Sequence, residues 1–299
     1  MSDHGTSSSK RQGLQIGPLV TPLLAAACVA IFIWLQRADN VDDWEVLRKV
    51  GILRPSEIWG GAYWALLTSA LVHFDILHVG FNLYWLWVLG QCMERTIGSL
   101  RFLAFCALAA AVSSMMQMSL GAGSWAHGFS GVGYALFGFM WLARSRYPEF
   151  GQVVHKRVVE LFVAWFFICI IMTELEVMPI ANLAHFGGFL TGAAVAGIAV
   201  HGKWFRQSIA GMALLAAFTV ISLFWAPWSV DWLSSQAYNA HSAERFGEAR
   251  SYYTRVIDRD PNNAWAYINR SIVNDVLGNP FEARSDRERA VELDSTYAD

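Results

Sequence analysis

Apolar residues along the chain gather into seven long runs, and the last quarter is different in kind. The runs cover residues 16–35, 74–92, 101–120, 130–143, 158–173, 180–200 and 208–226. The first is about as long as a bilayer crossing needs. It carries no small-residue cleavage site, so a retained helix is expected rather than a removed signal segment. The pattern predicts an all-α, polytopic membrane bundle: a membrane domain of six helices over 16–206 and a seventh helix within 207–228. Ahead of it, residues 1–15 are polar and predicted to be a disordered N-terminal segment. The loop 36–73 carries mixed charge and a short amphipathic run, "IWGGAYWALL" (58–67), that is expected to lie in the membrane interface.

Past residue 228 the chain turns charged and soluble. Shifted by 34 residues, the tail aligns with itself, pairing "EARSYYTRVIDRD" (248–260) with "EARSDRERAVELD" (282–294). That period is the one of tetratricopeptide repeats, and residues 229–299 resemble two of them, a small α-helical repeat domain. Ala249 and Ala283 fall at the helix contact, and Pro261 ends the first unit. In the second unit Arg287 stands where an aromatic is usual, as in a unit that caps an array. Two repeats are fewer than the roughly three that usually make such an array stable. Support from the membrane domain, a partner or a further helix is therefore expected.

Composition agrees: 55% of residues are hydrophobic and only 15% charged, against roughly a quarter charged in soluble domains. A net charge of -2 with no basic stripe gives no footprint for nucleic acid. Lys10, Arg11, Arg95, Arg101, Arg144, Arg146, Lys156, Arg157, Lys203 and Arg206 all fall on one side of the predicted spans. Basic loops stay in the cytoplasm. The expected topology is a multi-pass cell-membrane protein with a cytoplasmic N-terminus and repeats on the outer side. The cysteines, Cys28, Cys92, Cys106 and Cys169, all sit in apolar runs at unrelated spacings. They read as small buried hydrophobes, not as a disulfide framework or a metal cluster. No cofactor and no metal site is expected.

Three polar sites interrupt the apolar runs, and such groups are costly in a membrane unless they have a task. In "HFDILHVGFN" (73–82), His78 and Asn82 are four apart and share a helix face. In "HGFSGVGYALFGFMW" (127–141), Ser130 lies between glycines. In "NLAHFGGFLTG" (182–192), His185 sits well inside an apolar segment. "GFSG" alone supports two readings, close helix packing or a nucleophile. The soluble nucleophile elbow Gly-x-Ser-x-Gly is not met, because Val132 holds the last glycine position. A serine nucleophile needs a base and donors for the developing oxyanion. His185 would be that base; His78, Asn82 and the Ser130 N–H at a helix N-terminus would be the donors. Gly188 and Gly192 lie on the His185 face, so a helix carrying Ser130, Tyr134 and Gly138 would approach it closely. Tyr134, one turn from Ser130, would stack on the imidazole. Glu160 is expected to pair with Lys156 or to reach the interface.

Taken together and in this order, the three motifs resemble those of the rhomboid family of intramembrane serine proteases, over about residues 55–200. The resemblance implies a rhomboid-like six-helix core and a Ser–His dyad, with Ser130 as nucleophile and His185 as base. It places His78 and Asn82 at the oxyanion, with Gly131, Tyr134, Asn182 and Gly188 in support. His73 and Glu94 match positions of structural role. It further implies transmembrane helices as substrates, cut after local unwinding, and a movable helix over 158–173. The repeats would bind a peptide or protein partner. A second reading is a membrane-protein-binding adaptor or quality-control scaffold, with the bundle capturing spanning segments and the repeats recruiting clients. A transporter would need charged or broken helices at mid-membrane.

Overall fold

The computed structural model describes residues 17–41, 43–121 and 126–298; the expected N-terminal disorder lies outside the described residues. Sixteen α-helices follow one another: α1 Val20–Leu35, α2 Trp44–Lys49, α3 Pro55–Trp59, α4 Ala65–Thr68, α5 Ile76–Trp85, α6 Gln91–Ile97, α7 Ser99–Leu120, α8 Ser130–Ala143, α9 Glu149–Val153, α10 Lys156–Glu174, α11 Asn182–Val200, α12 Phe205–Phe224, α13 Val230–Ser242, α14 Phe246–Arg259, α15 Ala264–Val276 and α16 Pro280–Leu293. Helices stand on all seven apolar runs. Three of them, α7, α11 and α12, are long and apolar enough to cross a membrane. A fourth candidate joins Ala65–Leu71 to Ile76–Ile97 across a bend of 102°. The Asp75 carboxylate makes that bend by accepting the Leu77 and His78 N–H groups at 2.8 and 3.0 Å, which starts α5 afresh. α5 then runs into α6 through a π-helical turn at Leu86–Gly90.

α7 is the centre of the bundle and α12 its edge: 61% of the apolar window of α7 is buried inside the protein, against 6% for α12. A helix apolar all round but unburied by protein is one that faces lipid. Glycine brings α8 and α11 together. A Cβ at Gly188 would run into the Gly131 carbonyl, and one at Gly192 into the Ala135 carbonyl. Glu94, 2% exposed, ties the start of α1 to α6. Its carboxylate accepts the N–H groups of Leu19, Val20 and Thr21 at 2.7–2.8 Å and the Thr21 and Ser99 hydroxyls at 2.7 and 2.6 Å. It thereby satisfies amides that a helix N-terminus otherwise leaves open.

The stretch 58–67 is divided between two short helices. α3 ends at Trp59, Gly60 and Gly61 break the chain direction, and α4 begins only at Ala65. Ala65 and Leu66 pack on Met115 and Met118 of α7. Adjacent glycines carry the worst propensities short of proline, and here they outweigh the apolar pattern. Lys156 and Glu160 pair at 3.6 Å on an exposed face, as read from their spacing.

In the tail, α13–α16 pack in sequence, and the 34-residue shift holds in three dimensions. Ala249 and Ala283 are both fully buried, as are Val256 and Ala290. Glu244 and Gly278, again 34 apart, both turn the chain with positive φ, 57° and 75°. Arg270 of α15 forks onto Asp286 of α16 at 2.9 and 2.7 Å and donates to Thr254 of α14 at 3.0 Å, so one guanidinium joins three helices. Arg287 lies exposed and pairs with Asp275 at 2.7 Å. The tail rests on the membrane half: the Ser229 hydroxyl donates to the Met118 carbonyl at 3.4 Å, and Trp59 packs against the core of the tail helices.

Candidate active site

Ser130 is the first residue of α8, with Phe129 as its N-cap. The first intrahelical bond runs from Gly133 N–H to the Phe129 carbonyl, so the amides of Ser130 and Gly131 have no carbonyl one turn back. Gly128 makes the approach to this helix possible. Its φ is +89°, and a Cβ there would lie 2.6 Å from the His78 ring, so the position needs glycine twice over. The loop is held by His73, which is fully buried. Its Nε2 accepts the Phe129 N–H at 3.2 Å, and its Nδ1 lies 3.2 Å from the Leu71 carbonyl and donates to it. With Nδ1 donating, Nε2 is left as the acceptor, so the two bonds select one tautomer.

His185 comes from the first turn and a half of α11, 4% exposed. Its Nε2 is 2.9 Å from Ser130 Oγ. The Tyr134 ring lies 4.7 Å from the imidazole, tilted by 30°, and the Tyr134 hydroxyl donates to the Phe162 carbonyl of α10 at 3.2 Å. The other imidazole nitrogen, Nδ1, is buried with no partner among the described residues. The pair is therefore made by two side chains. Gly188, one turn on from His185, and Gly131, next to the serine, meet backbone to backbone.

The remaining expected residues are placed less simply. Asn82 is 6% exposed, but its amide donates to the His78 carbonyl of its own helix at 3.1 Å. The His78 ring packs edge-on against His73 at 4.9 Å and His127 at 5.8 Å. Among the described residues no three His, Cys, Asp or Glu side chains are grouped to hold a metal ion. Asn182 precedes His185 by less than a turn, yet its amide goes to α10: Nδ2 donates to Thr173 Oγ1 at 2.8 Å and to the Cys169 carbonyl at 3.4 Å.

One residue escaped the reading of the sequence. Gln117, 3% exposed on α7, accepts the Leu183 and Ala184 N–H groups at 3.1 and 3.2 Å and so caps the helix that carries His185. The signal was present: a lone glutamine in an apolar run is as costly as the histidines.

Residues 60–202 match the rhomboid domain family model. Over 189 residues the chain is 35% identical to the protein named rhomboid protease GlpG of Enterobacter sp. (strain 638), an alignment that takes in 60% of this chain and 62% of that one. The chain thus spans a little under two thirds of the length of that relative. Both matches support the rhomboid family for this region. With three apolar helices long enough to cross a membrane, they support a multi-pass membrane protein.

Proposed function

We propose that this protein is an intramembrane serine endopeptidase that cuts transmembrane segments of other membrane proteins with a Ser130–His185 dyad. The observation that carries the reading is the 2.9 Å contact between Ser130 Oγ and His185 Nε2 in a buried, glycine-packed seam. In the reaction Ser130 passes its proton to His185 Nε2 as Oγ attacks the scissile carbonyl. The oxyanion forms beside the open amide of Ser130, with His78 and Asn82 as side-chain donors, and the α8 N-terminus favours its charge. His185 then returns the proton to the leaving amine, and an acyl-serine remains. A water that gives its proton to His185 releases the acid. Tyr134 holds the imidazole ring in plane with the serine, and Gly131 and Gly188 set the spacing.

A substrate helix hides its carbonyls in its own hydrogen bonds, so it must unwind before attack. α8 has 14 residues, about 21 Å at 1.5 Å each. That is shorter than the roughly 30 Å hydrocarbon core, so its first residue, Ser130, lies below the surface. By the positive-inside rule the N-terminus is cytoplasmic and the dyad end and the tail face outward. The four tail helices, with their 34-residue period, are two tetratricopeptide units. They stand at the dyad's end of the bundle, where they would receive a peptide or protein partner. The test is purified full-length protein, Ser130→Ala and His185→Ala, incubated with a model spanning substrate in bilayers. Cleavage is expected from the parent alone, with Ser130 labelled by a serine-directed phosphonate; cleavage persisting in either variant would overturn the dyad.

A further inference from the structure

At the end of the bundle away from the dyad, a groove of about 400 Å³ opens between the α5–α6 segment and α9. One wall carries Trp87, Gln91, Cys92 and Arg95, and the other Glu149 and Gln152. The Arg95 guanidinium is steered into place by Gln91, whose Oε1 accepts from Nη2 at 2.7 Å. Glu149 stands across the groove, and among the described residues neither Arg95 nor Glu149 belongs to an ion pair. A cation and an anion that face one groove without closing on each other are complementary to a zwitterion. The third feature is apolar. Trp87 is 51% exposed and, with Val88, continues the groove along the flank of a helix that reads as membrane-spanning. An indole at that level is the usual marker of the headgroup boundary.

We propose that this groove is a phospholipid site, selective for a zwitterionic headgroup with a primary amine. The phosphate is held by Arg95, the ammonium by Glu149, and one acyl chain lies along Trp87 and Val88. A primary ammonium has three N–H donors for the carboxylate, whereas a quaternary choline has none. A glycerol headgroup leaves Glu149 beside an uncompensated phosphate. The order of preference is therefore ethanolamine, then choline, then glycerol phospholipid.

The test is native mass spectrometry of the delipidated full-length protein with equal amounts of the three lipids, chain-matched, and separately with soluble phosphoethanolamine. Wild type is expected to carry ethanolamine lipid over choline lipid by roughly three- to fivefold, the worth of one exposed charge pair. Glu149→Gln should bring ethanolamine lipid down to the choline level without lowering glycerol lipid. Arg95→Gln should lower all three. Both side chains are exposed, so neither variant should shift the melting temperature of the lipid-free protein. No headgroup preference in wild type, or a preference that survives both variants, overturns the proposal. Phosphoethanolamine binding as well as the lipid also overturns it, since the occupant would then be a soluble phosphoamine.

Discussion

α10 and α11 both flank α8, and they hold to it in opposite ways. α11 meets α8 through backbone, with Gly188 against the Gly131 carbonyl and Gly192 against that of Ala135. α10 meets it through side chains and leaves most of its own surface uncovered by protein: only Phe162 and Cys169 of its 19 residues are buried, against eleven of 14 in α8. The Ser130 Oγ–His185 Nε2 contact, the proposed dyad, lies on the first seam. A backbone contact has one register and no rotamers, so it fixes a 2.9 Å hydrogen bond between two helices. Contacts such as Phe137–Phe162, with centroids 4.3 Å apart, are re-formed after a rotamer change. A tight backbone seam and a looser side-chain seam thus flank the same helix, and under the proposed function α10 is the one that would move aside for a substrate.

The largest effect should come from closing the backbone seam. Gly188→Ala puts a methyl into the Gly131 carbonyl, and Gly188→Val adds two more carbons. We expect alanine to cost about 3 kcal/mol of stability, the upper range for overpacking, and valine to prevent folding. Thermal melting in detergent measures the first. Phosphonate labelling of Ser130 should be lost in both, because the helices can part only by separating Ser130 from His185. Normal melting in Gly188→Ala would mean that α8 and α11 are not in contact.

Second comes the cap on the same helix. Gln117→Leu keeps the bulk but leaves the Leu183 and Ala184 amides without their acceptor, at a cost of about 2 kcal/mol. Labelling of Ser130 should slow as well, since the uncapped turn leads directly into His185. A variant with unchanged melting and labelling would remove Gln117 from the account of how α11 is held.

Both of these residues bear on what the sequence could tell. The meeting of Ser130 with His185 was legible because a polar group in an apolar run stands out, and because glycine spacing told which faces meet; the turn of the Asn82 amide onto the His78 carbonyl was not. Gln117 obeyed the same rule but fitted no catalytic role, so it went unnamed. The direction of Asn182 was not legible: its position near His185 suggests the dyad, yet its amide is taken by Thr173, a partner set by how α10 leans. The seven apolar runs located seven helices, but the 102° bend before α5 depends on the Asp75 cap, a signal two residues long. The tail's period survived into structure because buried alanines repeat at it.

The tail, like α10, is attached by side chains, and one of them is ionisable. Asp231 of α13 faces a cavity of about 40 Å³ lined by Leu53, Ile58, Ser69 and Ser114. Burial pushes its carboxyl up from 3.8 to about 6. The docked form therefore binds a proton between pH 6 and 4 that the undocked form does not. Docking should strengthen as pH falls through 6, level off below 4, and be weaker above 6 by about 3 kcal/mol. Limited proteolysis of the 225–229 link at pH 5 and pH 8 reads this directly. Asp231→Asn should be as resistant at pH 8 as the parent is at pH 5. Equal cleavage of the parent at both values would mean that Asp231 is solvated.

The smallest effect should fall on the side-chain seam. Thr173→Val removes the acceptor of the Asn182 amide while keeping the shape of the residue. The Asn182 Oδ1 already has no partner among the described residues, and a second loss on the same amide would cost only about 1 kcal/mol, because the Cys169 carbonyl still takes part of the donor. Melting should hardly move. If α10 must part from α11 to admit a substrate, the variant has less to break, and cleavage of a spanning substrate should rise about twofold to fivefold. Phosphonate labelling, which needs no such opening, should stay the same. A rise in labelling equal to the rise in cleavage would instead place the effect on His185, through the turn that Asn182 shares with it, and α10 would lose its standing as the movable partner.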